Sequence, residues 1–517
     1  MPVDSHLRFD VDGRAVEVVD DGASLLEVLR DRLGVRGPKD GCSPQGQCGC
    51  CTVLVDGEPR VACVTPARRV AGRAITTVDG LGTRAGRWAG AFCATGASQC
   101  GFCTPGIVVR LDALRAAGTA VDDVARVERA LLAHLCRCTG WRTILNAWRA
   151  FDDDDALGAA RDFAAASRRA TIEGGIAQRV APDVALGRGG FADDTAPPDA
   201  LVAVTDGRGG WAVAETLSDA RRAAAKVQGR RTTVAATAPL APPPGSWDVT
   251  LSTQWVEPAY LETDASWCEP GGAPVSPLAN GGAFGGKAAT DVARVARELA
   301  DTHGRAVRVV YSREDAVRRG AKRPPIGAGM RADGTGVVRV ARTPGIAAAI
   351  SAYAPSITVE EVDVAGPPTS IALRAAGWAE AAVLLAGARR DTSEVVAPNG
   401  ARASATIDGD GVHVRVAAGV PLDDVVLRSY CIGAAHMALG WVTSEGIAVD
   451  EGGEPHDLTI RSFGVLRAVD TPPITVEIEP DDREPRNGSD AVFAATAAAV
   501  WVAQGCPPTF PTQRTLR

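Results

Sequence analysis

Ten of the 13 cysteines lie in the first 138 residues, and eight of these have spacings typical of metal ligands. Cys42, Cys48 and Cys51 stand in a glycine-rich loop, and Cys63 follows a short apolar strand, which gives the spacing C-x5-C-x2-C-x11-C. The plant-type [2Fe–2S] spacing is C-x4-C-x2-C with a distant fourth cysteine. Glycines let such a loop turn its backbone N–H groups toward the cluster sulfides. The pattern therefore favours a [2Fe–2S] cluster over zinc, whose structural sites usually use two C-x2-C pairs.

A second set of thiols follows in a segment with helical periodicity. Cys100 and Cys103 begin one predicted helix, and Cys136 and Cys138 end another. If these helices pack antiparallel, the four thiols meet, and a helix N-terminus stabilises thiolates. We interpret this set as the ligands of a second [2Fe–2S] cluster. The other five cysteines are interpreted as small buried hydrophobic residues: Cys50, Cys93, Cys268, Cys431 and Cys506.

Length and composition indicate how many domains the chain has and which partners and locations to expect. A chain of 517 residues is too long for a single core, so several domains are expected. The net charge of −7 gives no electrostatic reason to expect nucleic acid or an anionic membrane as a partner. No stretch of about 20 apolar residues predicts a membrane span. The N-terminal residues lack the features of a signal peptide, so we expect a cytoplasmic protein.

The elements around the cysteines predict an α+β multidomain chain. Residues 1–82 show a strand pair, a helix capped by Ser24, the cysteine loop and a second hairpin, the order of a β-grasp ferredoxin domain. Residues 83–150 are predicted to form a four-helix [2Fe–2S]-binding domain. The acidic start of residues 151–169 predicts a linker.

At this point the motifs resemble a known family. Gln-Cys-Gly-Phe-Cys-Thr-Pro-Gly at residues 99–106 and Cys-Arg-Cys-Thr-Gly at residues 136–140 closely resemble the iron–sulfur part of the xanthine dehydrogenase/aldehyde oxidase family, the molybdenum hydroxylases. The resemblance covers residues 1 to about 150. It implies a molybdopterin (molybdenum) cofactor beside the second cluster, with Gln99 and Cys138 in contact with the pterin.

Later segments of the chain also resemble parts of the same family. Residues 170–250 resemble the family's hammerhead-like α/β domain, and residues 251–517 resemble a shortened molybdopterin-binding domain. In the latter, residues 281–287 read Gly-Gly-Ala-Phe-Gly-Gly-Lys and resemble the loop that presents backbone amides to the cofactor. The resemblance assigns cofactor contacts to five residues: Gly282, Ala283, Phe284, Gly285 and Arg374.

The chain departs from the family where the catalytic glutamate is expected. Alignment on Gly488 and Phe493 places Ser489 at that position, and one residue of slack places Asp490 there. A catalytic base needs hydrogen-bond reach and a titratable group, which favours Asp490 over Ser489. A segment before residue 277, which carries a glutamine above the metal in relatives, is also shortened.

A fifth cysteine, Cys50, stands inside the first motif where relatives usually carry alanine. The match to Cys-Gly-x-Cys-Thr assigns Cys48 and Cys51 as ligands. We therefore expect the Cys50 side chain to point away from the iron.

The resemblance implies an oxidoreductase, or an oxidoreductase subunit, that oxidises an aldehyde or N-heterocycle with water as the oxygen source. Electrons would pass through the two [2Fe–2S] clusters to a flavoprotein or another electron-acceptor subunit, and a second molybdenum subunit is a further expected partner. The alternative is a non-catalytic electron-transfer or assembly subunit, whose degenerate molybdenum domain packs against a catalytic partner chain.

Overall fold

The computed structural model describes residues 6–225, 229, 232–276, 282–288 and 290–513. In these ranges the protein is a mixed α/β structure with sheets of five, four, five and four strands. The first sheet and a group of helices hold the cysteine motifs, and the other three sheets lie in the remainder of the chain.

The first sheet has the strand order β2-β1-β5-β3-β4. β1 and β2 form an antiparallel hairpin around Asp12-Gly13, because both turn residues adopt a positive φ. Ser24 caps a short helix that continues as a π-helical turn over Val28–Arg32. The cysteine loop lies between this turn and β3. The elements are β1 His6–Val11, β2 Arg14–Val19, α1 Leu25–Glu27, β3 Thr52–Val55, β4 Glu58–Val61 and β5 Ala74–Thr76.

Four α-helices follow between residues 83 and 150. Trp88 and Trp148 stack in their core with ring centroids 6.3 Å apart, and both rings are fully buried. Cys103 is the N-cap of the second of these helices, and Cys136 and Cys138 lie in the loop between the last two. The helices are α2 Thr83–Thr95, α3 Thr104–Ala116, α4 Val124–Ala130 and α5 Arg142–Ala150.

The predicted linker over residues 151–169 contains helical structure. Asp162 caps α7 through its side chain, and Gly175 ends the helix in the left-handed region. This helix crosses the predicted boundary at residues 169–170, because its buried face packs on the C-terminal part of the chain. The elements are α6 Asp154–Gly158, α7 Phe163–Gly174, α8 Pro182–Ala185 and α9 Ala192–Thr195.

The second sheet has the order β7-β6-β10-β9 and spans both sides of the predicted boundary at residues 250–251. β6 pairs in parallel with β10, more than 100 residues later, and such long-range pairing leaves no local sequence signal. The elements are β6 Leu201–Thr205, β7 Trp211–Ala214, α10 Leu217–Ala223, β8 Val249–Thr253 (in the third sheet), β9 Ala265–Cys268, α11 Val292–His303 and β10 Val307–Val310.

The third and fourth sheets have the orders β13-β12-β11-β8-β18 and β14-β15-β16-β17. Their elements are α12 Arg313–Arg319, β11 Ile326–Met330, β12 Gly336–Ala341, α13 Ile346–Tyr353, β13 Ile357–Val362, α14 Trp378–Arg389, β14 Val395–Val396, β15 Arg402–Asp408, β16 Gly411–Ala417, α15 Asp424–Thr443, β17 Ile474–Ile478, α16 Ser489–Ala503 and β18 Thr509–Phe510. By length and composition α15 could cross a membrane, but 83% of its apolar window is buried inside the protein, as in a core helix.

Candidate functional site

The four predicted ligands of the first motif, here called the outer set, lie together. Cys42, Cys48, Cys51 and Cys63 are all buried. The Cys42 thiol contacts those of Cys48 and Cys63, and the Cys63 thiol also contacts that of Cys51. Backbone N–H groups point at the sulfur atoms: Gln45 N donates to Cys42 Sγ at 3.1 Å, and Cys63 N donates to Cys51 Sγ at 3.5 Å. Hydrogen bonds from the thiols of Cys48 and Cys63 lower the pKa of Cys42.

The Cys50 thiol lies beside the outer set. Its Sγ contacts the Cys48 thiol and lies 3.8 Å from the Cys48 carbonyl oxygen. A Cβ placed on Gly41 would stand 3.1 Å from both Cys48 Sγ and Cys50 Sγ. Close packing of the glycine-rich loop therefore keeps this side chain next to Cys48, and its orientation relative to the iron stays a prediction.

The second set of thiols, here called the inner set, also lies together. Cys100 Sγ and Cys138 Sγ are 3.6 Å apart, and the Cys136 thiol contacts those of Cys103 and Cys138. Cys136 Sγ lies 3.1 Å from the hydroxyl oxygen of Thr139. The contact with Cys103 is the largest of the effects that lower the pKa of Cys136.

The thiols of both sets fit [2Fe–2S] clusters. In each set the thiols touch in a row, in the order Cys48, Cys42, Cys63, Cys51 in the outer set and Cys100, Cys138, Cys136, Cys103 in the inner set. A [2Fe–2S] cluster takes four cysteine ligands, one pair for each iron. In the described part of the chain, no group of three or more His, Cys, Asp or Glu side chains has the geometry of a mononuclear metal site.

A backbone hydrogen bond connects the segments that carry the two sets. The carbonyl oxygen of Cys48 accepts a hydrogen bond of 3.0 Å from the N–H of Leu135, the residue before Cys136. A Cβ on Gly106 would stand only 2.2 Å from the Gly49 carbonyl oxygen. Glycine at this position therefore lets the start of α3 rest directly on the outer loop.

The inner set is bound to the C-terminal part of the chain by a buried ion pair. Arg137, between Cys136 and Cys138, donates to both carboxylate oxygens of Glu445 at 2.5 and 2.8 Å. The exposed fractions of the two side chains are 4% and 2%. Bidentate geometry of this kind fixes both position and orientation.

Gln99 lies between the inner set and α15. Its Nε2 donates hydrogen bonds of 3.0 Å to the carbonyl oxygen of Cys138 and to the hydroxyl of Ser429. Its buried Oε1 has no hydrogen-bond partner among the described residues. An orphaned acceptor at this depth fits a ligand that carries N–H groups, such as a pterin.

The glycine-rich loop connects the inner set to a cavity. A Cβ on Gly282 would stand 3.1 Å from Cys138 Sγ, and a Cβ on Gly285 would stand 1.7 Å from the Ala372 carbonyl oxygen. Both glycines have a positive φ, and so does Phe284 between them (φ 44°). A bulky residue rarely adopts this conformation, which marks a constrained segment. Gly281 of the predicted loop lies outside the described residues.

Arg374 and Asp490 line this cavity, which has a volume of about 260 Å³. Arg374 Nε lies 3.3 Å from Asp490 Oδ1, and the guanidinium packs on the Phe284 ring, 3.9 Å from its centroid. Burial lowers the pKa of Arg374. Burial also raises the pKa of Asp490; the Arg374 charge opposes this shift and the Glu173 charge adds to it. Ser489, the alternative to Asp490, is fully buried and donates its hydroxyl to Asn487 Oδ1.

Sequence reasoning missed Glu173, which also lines the cavity. Its carboxylate accepts hydrogen bonds from the backbone N–H groups of Gly488 at 3.1 Å and Ser489 at 2.8 Å, and it pairs with Arg169. Neither Glu173 nor Arg169 exposes its side chain to solvent. The spacing of Arg169 and Glu173, one helical turn apart, indicates an ion pair but not its burial.

Comparisons with known proteins agree with this architecture. Residues 77–149 match the family model of the [2Fe-2S] binding domain. The chain is 38% identical over 149 residues to caffeine dehydrogenase subunit gamma of Pseudomonas sp. (strain CBB1), covering 28% of this chain and 89% of that subunit. It is 38% identical over 169 residues to xanthine dehydrogenase of Drosophila pseudoobscura pseudoobscura, covering 30% of this chain and 12% of that protein.

Solved structures extend the likeness to the whole fold. Aldehyde oxidoreductase from Desulfovibrio gigas superimposes with a TM-score of 0.69 at 14% identity, covering 96% of this chain and 97% of that chain. The chain belongs to the xanthine dehydrogenase/aldehyde oxidase family, the molybdenum hydroxylases, which confirms the predicted family and its [2Fe–2S] character. It spans only 12% of the length of the xanthine dehydrogenase it matches.

Proposed function

We propose that this protein is an iron–sulfur and molybdopterin-binding oxidoreductase, or a subunit of one, that oxidises an aldehyde or N-heterocycle with water as the oxygen source. The observation that carries the proposal is the run from Gly282 to Gly285. One end of this loop touches Cys138 of the inner set, and the other borders the cavity of Arg374 and Asp490. A redox cofactor held there would contact both substrate and electron acceptor.

Residues of this chain fit the pterin end of such a cofactor. Gln99 supplies a free buried acceptor. Cys138 lies beside Gly282, and Ala283 and Gly285 line the cavity. When bound, a molybdenum cofactor supplies the metal centre at which a carbon–hydrogen bond is oxidised with oxygen from water.

Asp490 is the proposed base in this cavity. It accepts a proton at Oδ2, because Oδ1 is the oxygen nearest to Arg374 Nε. Phe284 and Arg374 stack on each other and form one wall of this cavity. Burial of the cavity walls limits the access of competing solvent.

The two cysteine sets would hold the [2Fe–2S] clusters that supply electron transfer away from the cavity. A route runs from the inner set through Cys136 and Leu135, across the hydrogen bond to the Cys48 carbonyl, and into the outer set. Val64, next to Cys63, is 50% exposed, so the outer set ends near the surface. The proposed acceptor is a flavoprotein or another electron-acceptor subunit. This layout would make residues 1–82 a β-grasp ferredoxin domain and residues 83–150 a four-helix cluster domain in a cytoplasmic protein.

A second proposal is a non-catalytic electron-transfer or assembly subunit. The observation that favours it is the missing family glutamate, since Ser489 is buried in α16 and faces Asn487. In this case the C-terminal part would pack against a catalytic partner chain, and clusters held by the two cysteine sets would supply its electron transfer.

Metal analysis of the purified full chain distinguishes the enzyme proposal from the electron-transfer proposal. The first proposal expects iron at the content of two [2Fe–2S] clusters, together with stoichiometric molybdenum and pterin. Iron at the same content without molybdenum would overturn it and support the second proposal.

A further inference from the structure

The Cys50 thiol belongs to neither cysteine set but lies close to both. Its side chain is fully buried. Its Sγ contacts the Cys48 thiol of the outer set. The thiols of Cys103 and Cys136 in the inner set are near enough to interact with it through charge. A change at Cys50 is therefore felt first by the outer set, through direct contact with Cys48.

Close packing holds Cys50 in this position. The N–H of Lys39 donates a hydrogen bond of 3.1 Å to the Cys50 carbonyl oxygen. A Cβ on Gly106 would stand 3.0 Å from the carbonyl carbon and oxygen of Cys50, and a Cβ on Gly41 would stand 3.1 Å from its Sγ. The two glycines thus let their segments pack closely on Cys50. The Cys50 side chain is kept beside Cys48 as a result.

The S–H of Cys50 has two nearby acceptor atoms on Cys48. The carbonyl oxygen lies 3.8 Å from Cys50 Sγ, and it already accepts the 3.0 Å hydrogen bond from Leu135 N. The Cys48 sulfur would carry negative charge as an iron ligand, and hydrogen bonds to charged acceptors are the stronger ones. Full burial favours the protonated form of the Cys50 thiol, which can then donate. The better acceptor is therefore the Cys48 sulfur.

Backbone N–H groups supply hydrogen bonds to other sulfurs of the outer set. Gln45 N donates to Cys42 Sγ at 3.1 Å, and Cys63 N donates to Cys51 Sγ at 3.5 Å. Hydrogen bonds to the cysteine sulfurs are among the factors that set the reduction potential of an iron–sulfur cluster. Because they stabilise the added negative charge of the reduced state, a further donor at Cys48 raises the potential.

We propose that Cys50 is a positioning residue for electron transfer, whose S–H donates a hydrogen bond to Cys48 Sγ and raises the reduction potential of the outer cluster. The S–H bond stays intact, and no proton is transferred. A higher potential of the outer cluster would favour electron transfer toward it. The inference rests on the proposed function for the two clusters and the direction of electron flow.

Redox titration of the purified full chain, followed by electron paramagnetic resonance, measures the potentials of the two clusters. We expect Cys50→Ala to lower the equilibrium constant for reduction of the outer cluster about threefold, a fall of about 28 mV for a one-electron couple. Cys50→Ser keeps a hydrogen-bond donor and is expected to restore most of the potential. Cys268→Ala is the matched control, because it removes an equally buried thiol from β9 and leaves both potentials unchanged.

An unchanged outer potential in Cys50→Ala, or an equal fall in Cys50→Ser, overturns the inference. Loss of the outer cluster from a folded Cys50→Ala variant also overturns it, because Cys50 would then be a ligand. If Cys50→Ala does not fold, as judged by thermal unfolding, infrared difference spectroscopy of the unmodified protein decides. The S–H stretching band that is absent from Cys50→Ser is expected to shift when the outer cluster is reduced, and an unshifted band contradicts the hydrogen bond.

Metal analysis of the same samples distinguishes failure of this inference from failure of the proposed function. Iron for two clusters without molybdenum, together with the expected fall in potential, removes the enzyme proposal and keeps the inference. Iron and molybdenum at full content with an unchanged outer potential remove the inference alone. A chain that holds no outer cluster overturns both.

Discussion

The backbone N–H of Ser489 donates a 2.8 Å hydrogen bond to the carboxylate of Glu173, more than 300 residues earlier in the chain. Gly488 N donates to the same carboxylate, and Asn487 Nδ2 donates to the Glu173 carbonyl oxygen at 3.3 Å. The first residues of α16 are therefore held by the end of α7. Asp490 follows directly, so its position in the cavity depends on Glu173.

Glu173→Gln is expected to lower the free energy of unfolding by about 3–5 kcal/mol, because it leaves the buried Arg169 without its charged partner. Urea unfolding measures the change. Glu298→Gln is the matched control, since Arg294 and Glu298 have the same i,i+4 spacing on an exposed helix face. A Glu173→Gln variant as stable as this control would contradict the role of the buried pair.

Asp490→Asn is expected to abolish turnover while iron and molybdenum contents stay unchanged. A base acts in its ionised form, so turnover rises as pH increases through the pKa of Asp490, which burial raises. The Glu173 charge adds to this shift. Glu173→Gln therefore moves the acid limb of the pH–rate profile to lower pH. Ser489→Ala serves as the control and keeps its activity; normal turnover in Asp490→Asn would remove Asp490 from the mechanism.

Sequence reasoning reached the parts of the site that depend on local spacing. Cys100 and Cys103 share one short motif, as do Cys136 and Cys138. The members of each pair are close in the sequence, so their closeness in space can be predicted. Glu173 could not be found in this way, because its partners at Gly488 and Ser489 are brought near only by the packing of α7 on the C-terminal part. The second sheet could not be predicted for the same reason, because its strands β6 and β10 are more than 100 residues apart in the chain.

Cys50→Ala is expected to retain the iron content and visible spectrum of the unmodified protein. Cys42 and Cys51 receive backbone hydrogen bonds on sulfur, whereas the hydrogen bond recorded for Cys50 Sγ is a long contact of 3.8 Å with a carbonyl. Cys48→Ala is the comparison and is expected to lose about half of the iron, because one of two four-cysteine sites is broken. Equal iron loss in both variants would make Cys50 a ligand.

Gly282→Ala is expected to disturb the inner set and the cofactor site together. The new methyl group would stand 3.1 Å from Cys138 Sγ, at a residue whose φ of +86° already disfavours a side chain. Gly271→Ala is the matched control, because its φ is +72° and nothing lies within 4 Å of the added Cβ. Both variants carry backbone strain of about 1–2 kcal/mol, but only Gly282→Ala is expected to alter the electron paramagnetic resonance spectrum of the reduced inner cluster and to lower the molybdenum content. Identical spectra and metal contents in the two variants would show that Gly282 does not bring the glycine-rich loop against the inner set in solution.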